Sequence, residues 1–303
     1  MRYLPILAFC FLGTIWGSNF IFMKWAAEWL SPIQIVFFRV LFGFIPVALY
    51  AYFTNALSVK HLRHAGHFVM MALLATVIYY FGFAAGTALL PSGIAGALSG
   101  AIPLFTFVFA VAFLAQEKAT PTKLLGVFAG LTGVVTIARP FGGDLAQTNL
   151  EGVLFMVLGC LSIGTSFVYA KKFLSGLKIS AAALTTYQLG AGLVLLALVS
   201  DLDNTAGIWT DVPTAIGLVL GLGLLGTGAA YIAYYYIVEN LGATSASSVT
   251  YIPPVVALFI GAVLVGEEIS WSDYVATGFI FAGVFLLNWR KSRKVRAQRP
   301  KGA

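Results

Sequence analysis

Long apolar runs, almost free of charge, decide what this chain can fold into. Ten such stretches lie at roughly 4–24, 32–53, 66–88, 91–114, 122–138, 151–172, 180–200, 213–238, 243–265 and 273–290. A helix needs about 20 predominantly apolar residues to cross a bilayer. Within the hydrocarbon every backbone N–H and C=O must be satisfied internally, which these long runs achieve as helices. Only 10% of the residues are charged and 60% are hydrophobic, too few charges to cover a water-facing surface. The expected fold is therefore an all-α integral membrane protein with ten transmembrane helices.

The few charges are placed asymmetrically. With the N-terminus in the cytoplasm, 15 of the 18 basic residues fall on the cytoplasmic side, leaving Lys24, Arg39 and Arg139 elsewhere. That split follows the positive-inside rule and predicts both termini inside, in a bacterial inner (plasma) membrane. Seven basic residues crowd the segment from Arg290 to Lys301. The net charge of +7 thus points to anionic lipid headgroups as partners rather than nucleic acid. The apolar run after Arg2 resembles a signal peptide, but its length and the segments that follow make it the first helix. Cys10 and Cys160 lie in separate apolar runs and suggest no disulfide framework or metal spacing. His61, His64 and His67 stand beside Lys60 and Arg63 without an acidic or cysteine partner, so they read as a basic, solvated loop.

The halves repeat at an offset near 150. Pro103, Phe109, Ala112, Leu114, Glu117 and Gly133-Val134 match Pro253, Phe259, Ala262, Leu264, Glu267 and Gly283-Val284. Gly17, Phe20 and Lys24 match Gly164, Phe167 and Lys171 at offset 147. Five spans per copy is an odd number, so the second copy must be inverted relative to the first. Such repeats place a binding site near the midplane and permit alternating access. The division is residues 1–140, 150–290 and a basic tail, 291–303, with Arg139, Pro140 and Gly142-Gly143 at the joint.

The segment Trp16-Gly-Ser-Asn-Phe-Ile-Phe-Met-Lys24, Arg39 within FFRVLFG, and the paired Pro–Glu–Gly-Val pattern together resemble the drug/metabolite transporter superfamily, specifically its EamA-type ten-helix carriers. The resemblance covers nearly the whole chain. It implies a secondary transporter, working as an exporter, of small organic metabolites such as amino acids or related compounds, with the fifth and tenth helices away from the cavity. A carrier of larger anionic, nucleotide- or vitamin-like metabolites is the alternative. A non-transporting receptor or scaffold is the reading from another class. The second copy departs from the first-helix motif: Ile163-Gly-Thr-Ser-Phe-Val-Tyr-Ala-Lys171 has no Trp.

Polar groups inside apolar spans are the candidate substrate-binding residues, because lipid exposure would be costly. Asn19, Arg39 and Tyr80 in the first half match Ser166, Gln188 and Tyr231 in the second, at offsets of 147, 149 and 151. Asn19 and Ser166 fit either hydrogen bonding to substrate or glue between helices. Arg39 could face a water-filled cavity, snorkel, or satisfy helix-end carbonyls. Trp16, Phe20, Phe83, Ser99, Ser248 and Tyr251 are candidate cavity lining. Packing is the competing account for the small-residue stretches around Ser99 and Ser248, and an interfacial aromatic belt for the tyrosines. Lys24 reads as an interfacial anchor, and Glu117 and Glu267 as helix-end signals. No GxxxxGK[ST], HExxH or nucleophile elbow occurs, so no enzyme or cofactor is expected. Sequence alone leaves the oligomeric state open.

The topology makes a direct prediction. Reporter fusions after residues 58 and 145 should report opposite sides of the membrane; the same side for both would overturn it.

Overall fold

Helix starts and stops follow from local chemistry. In the computed structural model, which describes residues 3–139 and 150–297, α1 spans Leu4–Ala26 and α2 spans Pro32–Phe53. Ser31 caps α2 reciprocally: its hydroxyl accepts from the Gln34 amide while the Gln34 side chain accepts from the Ser31 amide. Pro32 follows, where a missing N–H costs nothing. Then come α3 (Val59–Leu89), α4 (Ser92–Phe113), α5 (Pro121–Ala138), α6 (Leu150–Leu174), α7 (Ala181–Val199) and α8 (Val212–Gly242). These eight helices are long and apolar enough to cross a membrane. A shorter apolar helix, α9 (Val249–Val265), and α10 (Trp271–Ala297) complete the order. No strand occurs among the described residues. Large side chains such as Phe128, Val194 and Leu198 are exposed on the periphery, where lipid rather than water suits them. The chain is an all-α integral membrane protein. The Pro140–Gly143 joint and the tail beyond Ala297 lie outside the described residues.

The end of the bundle where α1 begins is here called lower, and the end where α1 finishes upper. At the upper end the Gln34 amide donates to the carbonyls of Asp201 (2.8 Å) and Asp203 (3.3 Å), and Arg139 pairs with Asp273 at 2.9 Å. At the lower end the Tyr187 hydroxyl donates to the Ser58 carbonyl (2.9 Å) and accepts from its amide (3.0 Å). His67, expected in a solvated loop, instead packs on α6: its Nδ1 lies 2.7 Å from the Tyr169 hydroxyl. Its ring finds an aromatic shelf there, between Tyr169 and Phe173. No group of three metal-ligating side chains forms among the described residues.

Two helices are broken. In α4 the segment Ser92–Ser99 gives way at Gly100-Ala101 to Ile102–Phe113, with Pro103 in the new first turn. In α9 a 3-10 turn, Val249–Tyr251, precedes Ile252–Phe259, and Pro253 again occupies the first turn. Each proline stands in a first helical turn, where its missing N–H costs nothing. The upper segments of α4 and α9 touch closely, since a Cβ on Gly96 would collide with that of Ala257. Below the breaks the neighbours differ: the lower segment of α4 packs against α6, while Ala246, just before α9, and Val249 cluster with Leu12 of α1.

Helices α5 and α10 pack on one another through Gly126, Gly130, Gly133 and Gly283. Small residues let helix backbones approach where lipid offers no hydrophobic drive to associate. A Cβ on Gly283 would meet the backbone of Gly130 at 2.7–2.8 Å. Gly283→Val is therefore expected to destabilise the folded protein by about 1–3 kcal/mol through overpacking. Thermal unfolding in detergent measures it. An unshifted transition would show that this interface is not tight.

Candidate functional site

Arg39 organises the centre of the bundle. It lies inside α2, only 4% exposed, and among the described residues no carboxylate pairs with it. A bare guanidinium in hydrocarbon is costly, so each N–H needs an acceptor. Its Nε donates to Thr227 Oγ1 of α8 at 3.1 Å, and Nη1 approaches the Met23 sulfur of α1 at 3.8 Å. The Asn19 amide is oriented by its neighbours: its oxygen accepts from Arg39 Nη2 at 3.1 Å while its nitrogen donates to the Ile15 carbonyl at 3.1 Å. The guanidinium carbon sits 3.9 Å from the centroid of the Tyr80 ring, a cation–π contact from α3. Tyr231 of α8 packs against the buried cluster that holds Tyr80. Arg39 thus neither snorkels nor caps a helix end. Its charge is met by dipoles and a ring face alone.

Close helix approach makes this possible. The Asn19 side chain lies against Gly226, where a Cβ would collide with it. Thr227 belongs to a widened π-helical stretch, Gly217–Ala229, and its hydroxyl donates to the Leu222 carbonyl five residues back at 2.9 Å. That bond fixes the hydroxyl so that its lone pair faces Arg39. Such π segments inside α-helices recur at functional sites.

The expected pairs separate into two groups. Asn19, Arg39, Tyr80 and Tyr231 converge. Gln188 is buried but directs its amide to Thr76 Oγ1 of α3 at 3.0 Å. Ser166, fully buried, donates to the Ile163 carbonyl of its own helix at 2.7 Å, and Ser99 does the same to Gly96 at 2.6 Å. Phe20 and Phe83 meet at 5.8 Å beside the cluster, and Trp16 pairs with Tyr234 at 6.3 Å below it. Tyr251 is turned to α10, where Asn288 donates to its hydroxyl at 2.8 Å, and Ser248 is half-buried. A surface hollow of about 480 Å³ near Tyr52, Phe53, Asn55 and Leu57 includes none of these residues.

Thr76, Thr227 and Met23 were not among the candidates. A threonine in a glycine-rich apolar helix looks ordinary, but offset 151 relates Thr76 to Thr227 and gave a usable signal. Arg39 bonds Thr227 and Gln188 bonds Thr76, so the same contact occurs twice between matched residues. Lys24 also differs from its reading as a lipid-facing anchor. Its Nζ donates to the carbonyls of Ala88 (3.0 Å) and Leu90 (2.9 Å), which the end of α3 leaves unpaired.

The fold and the buried charge define a polytopic helical membrane protein with a polar centre, and comparison with known proteins places it among membrane transporters. The particular family is also shown. The model of the EamA-like transporter family matches residues 4–139 and again 150–289, and the chain belongs to that family. Similar proteins include the uncharacterized inner membrane transporter YedA of Escherichia coli, 28% identical over 295 residues, covering 95% of this chain and 92% of that one. The uncharacterized transporter YoaV of Bacillus subtilis is 26% identical, covering 92% and 95%. An uncharacterized transporter of Archaeoglobus fulgidus is 24% identical, covering 90% and 95%. A solved crystal structure aligns with a TM-score of 0.63 at 20% identity, covering 95% of this chain and 98% of that one, a likeness of fold.

Removing the Thr227 hydroxyl leaves Arg39 Nε without its acceptor. Thr227→Val is expected to cost about 1–3 kcal/mol in thermal unfolding, with Thr227→Ser near wild type. Equal effects of the two would show that the hydroxyl is not the group that matters.

Proposed function

We propose that this protein is a secondary transporter, working as an exporter, of small carboxylate-bearing metabolites such as amino acids. Substrate binds near mid-membrane between two inverted halves, which rock to expose it to either side in turn. The observation that carries this reading is the Arg39 guanidinium, buried and surrounded only by neutral acceptors. An anionic group entering from an aqueous path supplies the counter-charge that the protein withholds, in the bidentate geometry an Arg favours. Asn19 and Thr227 keep the fork oriented. The rings of Tyr80, Tyr231, Phe20 and Phe83 offer an apolar wall for the rest of the solute.

Inverted halves are supported by the double match of the family model and by the reciprocal Arg39–Thr227 and Gln188–Thr76 contacts. Gly17 against Val256 and Gly164 against Thr106 form another reciprocal pair, at offsets of 147 and 150. Ten spans, rather than the eight that length and apolarity alone identify, follow once α9 and α10 are counted as matches of α4 and α5. With the basic residues gathered at the lower end, that end is cytoplasmic and the membrane a bacterial inner membrane. The larger, multiply anionic substrates of the alternative would call for several cations at the centre. Lys24 is instead engaged with the carbonyls of Ala88 and Leu90.

Counterflow of labelled amino acids and monocarboxylates in proteoliposomes tests the proposal. The expected result is exchange by the wild type and a fall in affinity of about 10- to 100-fold in Arg39→Gln, as for loss of a hydrogen-bonded charge partner. Arg39→Lys should recover only part of it, since a point charge cannot reproduce the fork. No counterflow with any solute would favour a receptor or scaffold. Equal transport by Arg39→Gln would move the site elsewhere.

A further inference from the structure

The upper end of the bundle is held by a clamp that has an unused counterpart below. Between α3 and α4 the chain stops being helical at Leu90-Pro91, leaving two carbonyls above and two amides below the break. Lys24 of α1 takes the carbonyls of Ala88 and Leu90. Glu267, just past α9 in the other half, takes the amides of Ser92 at 2.7 Å and Gly93 at 2.9 Å. The Glu267 carboxylate also attracts Lys24 electrostatically. Each charge complements the dipole of the helix end it meets. Together they fasten the upper segment of α4 to α9, where Gly93, Gly96 and Gly261 already let the backbones touch.

The lower end carries the same parts, disengaged. Lys171 matches Lys24, Glu117 matches Glu267, and the break at Gly242 matches Leu90-Pro91. Gly242 leaves the helix with φ 82° and ψ 159°, so amides follow it at Ala243 and Thr244 as they do at Ser92 and Gly93. Yet Glu117 pairs with its near neighbour Lys123 at 3.3 Å, both half-exposed, and Lys171 is exposed. At the α8–α9 junction Ala246 and Val249 lean on Leu12 of α1.

We infer that Lys24–Glu267 and Lys171–Glu117 are two alternately engaged clamps that close the upper and the lower gate. Resting on the alternating-access reading above, this makes the present conformation closed above and open below. In the opposite conformation Glu117 leaves Lys123 for the amides of Ala243 and Thr244, Lys171 takes the carbonyls of Glu239 and Leu241, and the upper clamp releases. Lys123 is then a competitor that holds Glu117 back. An exposed ion pair of this kind contributes little to stability and is readily exchanged. No covalent change is needed; substrate or its absence biases which clamp is formed.

Spin-label distances in proteoliposomes test this with the full chain, after Cys10 and Cys160 are replaced by Ser. One label pair is Leu89/Val263 at the upper gate, the other Phe113/Asn240 at the matched lower positions. Wild type is expected to show two distance populations at each pair, moving reciprocally. Glu117→Gln should reduce the closed-lower population by about fivefold or more, and Lys123→Gln should raise it. Glu267→Gln should reduce the closed-upper population. The Glu117 carboxylate pairs with a half-exposed lysine here, so the Glu117 and Lys123 variants keep the test decisive should Glu267→Gln misfold. If both variants moved the populations the same way, the pair would be a plain surface ion pair and the clamp would be refuted. Unchanged populations in Glu117→Gln, in a protein that does alternate, would refute the clamp alone. A single unmoving population at both pairs in wild type would refute alternating access and the clamp together.

Discussion

A lone positive charge in the middle of a membrane bundle constrains everything packed around it. Among the described residues no carboxylate pairs with Arg39, whose charge is met by side-chain dipoles and one ring face. Those partners come from α1, α3 and α8, and each must be held at hydrogen-bonding distance. That requirement explains the small residues beside it. Asn19 reaches Arg39 only because Gly226 offers no side chain, and α2 reaches α8 because Gly43 lies against Thr227. Removing a partner from such a cluster costs more than the mean worth of a hydrogen bond, because the freed group stays buried. The arrangement ties four helices into one unit with a charge at its centre.

Helices of even polarity would make such a bundle rigid. The breaks at Gly100-Ala101 and before Ile252 do the opposite, and they fall in the two helices that meet at the interface of the halves. Irregular backbone at membrane depth is tolerated where protein or water shields it. It divides α4 and α9 into segments that can pack independently. The upper segments sit glycine to alanine, while the lower ones lie against α6 and α1. These two breaks lie at the contact of α4 with α9, while α5 and α10 pack closely at the side through their glycines.

Much of this was legible in the sequence, for reasons that differ between residues. The helices could be read because crossing hydrocarbon demands apolar length. Asn19, Arg39, Tyr80 and Tyr231 stood out because polarity inside such a run needs an explanation. Ser166 stood out equally, but a serine can satisfy itself on its own helix's carbonyl, and sequence does not show which way its hydroxyl turns. Thr227 carried no visible anomaly, since its role depends on α2 arriving beside a π-helical turn. Lys24 was misjudged because its distance from the upper end suggested headgroups as partners. The unpaired carbonyls of Ala88 and Leu90 belong to a helix end some 60 residues away in sequence, and only packing brings them near.

The difference between the halves bears on what the centre can recognise. Matched positions carry Arg39 in one half and Gln188 in the other, both turned to a matched threonine. Geometry is retained while charge is not. Two guanidinium groups facing each other across a low-dielectric centre would repel strongly, and each would need its own counter-ion. Glutamine fulfils the packing and hydrogen-bonding part of the position without that cost. What remains is a centre with one positive charge, several neutral donors and acceptors, and aromatic walls. On the proposed function, electrostatic balance would favour a solute with one anionic group over one with several, since a single positive charge stands there. A zwitterion fits the same account, its second charge facing the hydroxyl groups of Tyr80 and Tyr231 instead of a second arginine.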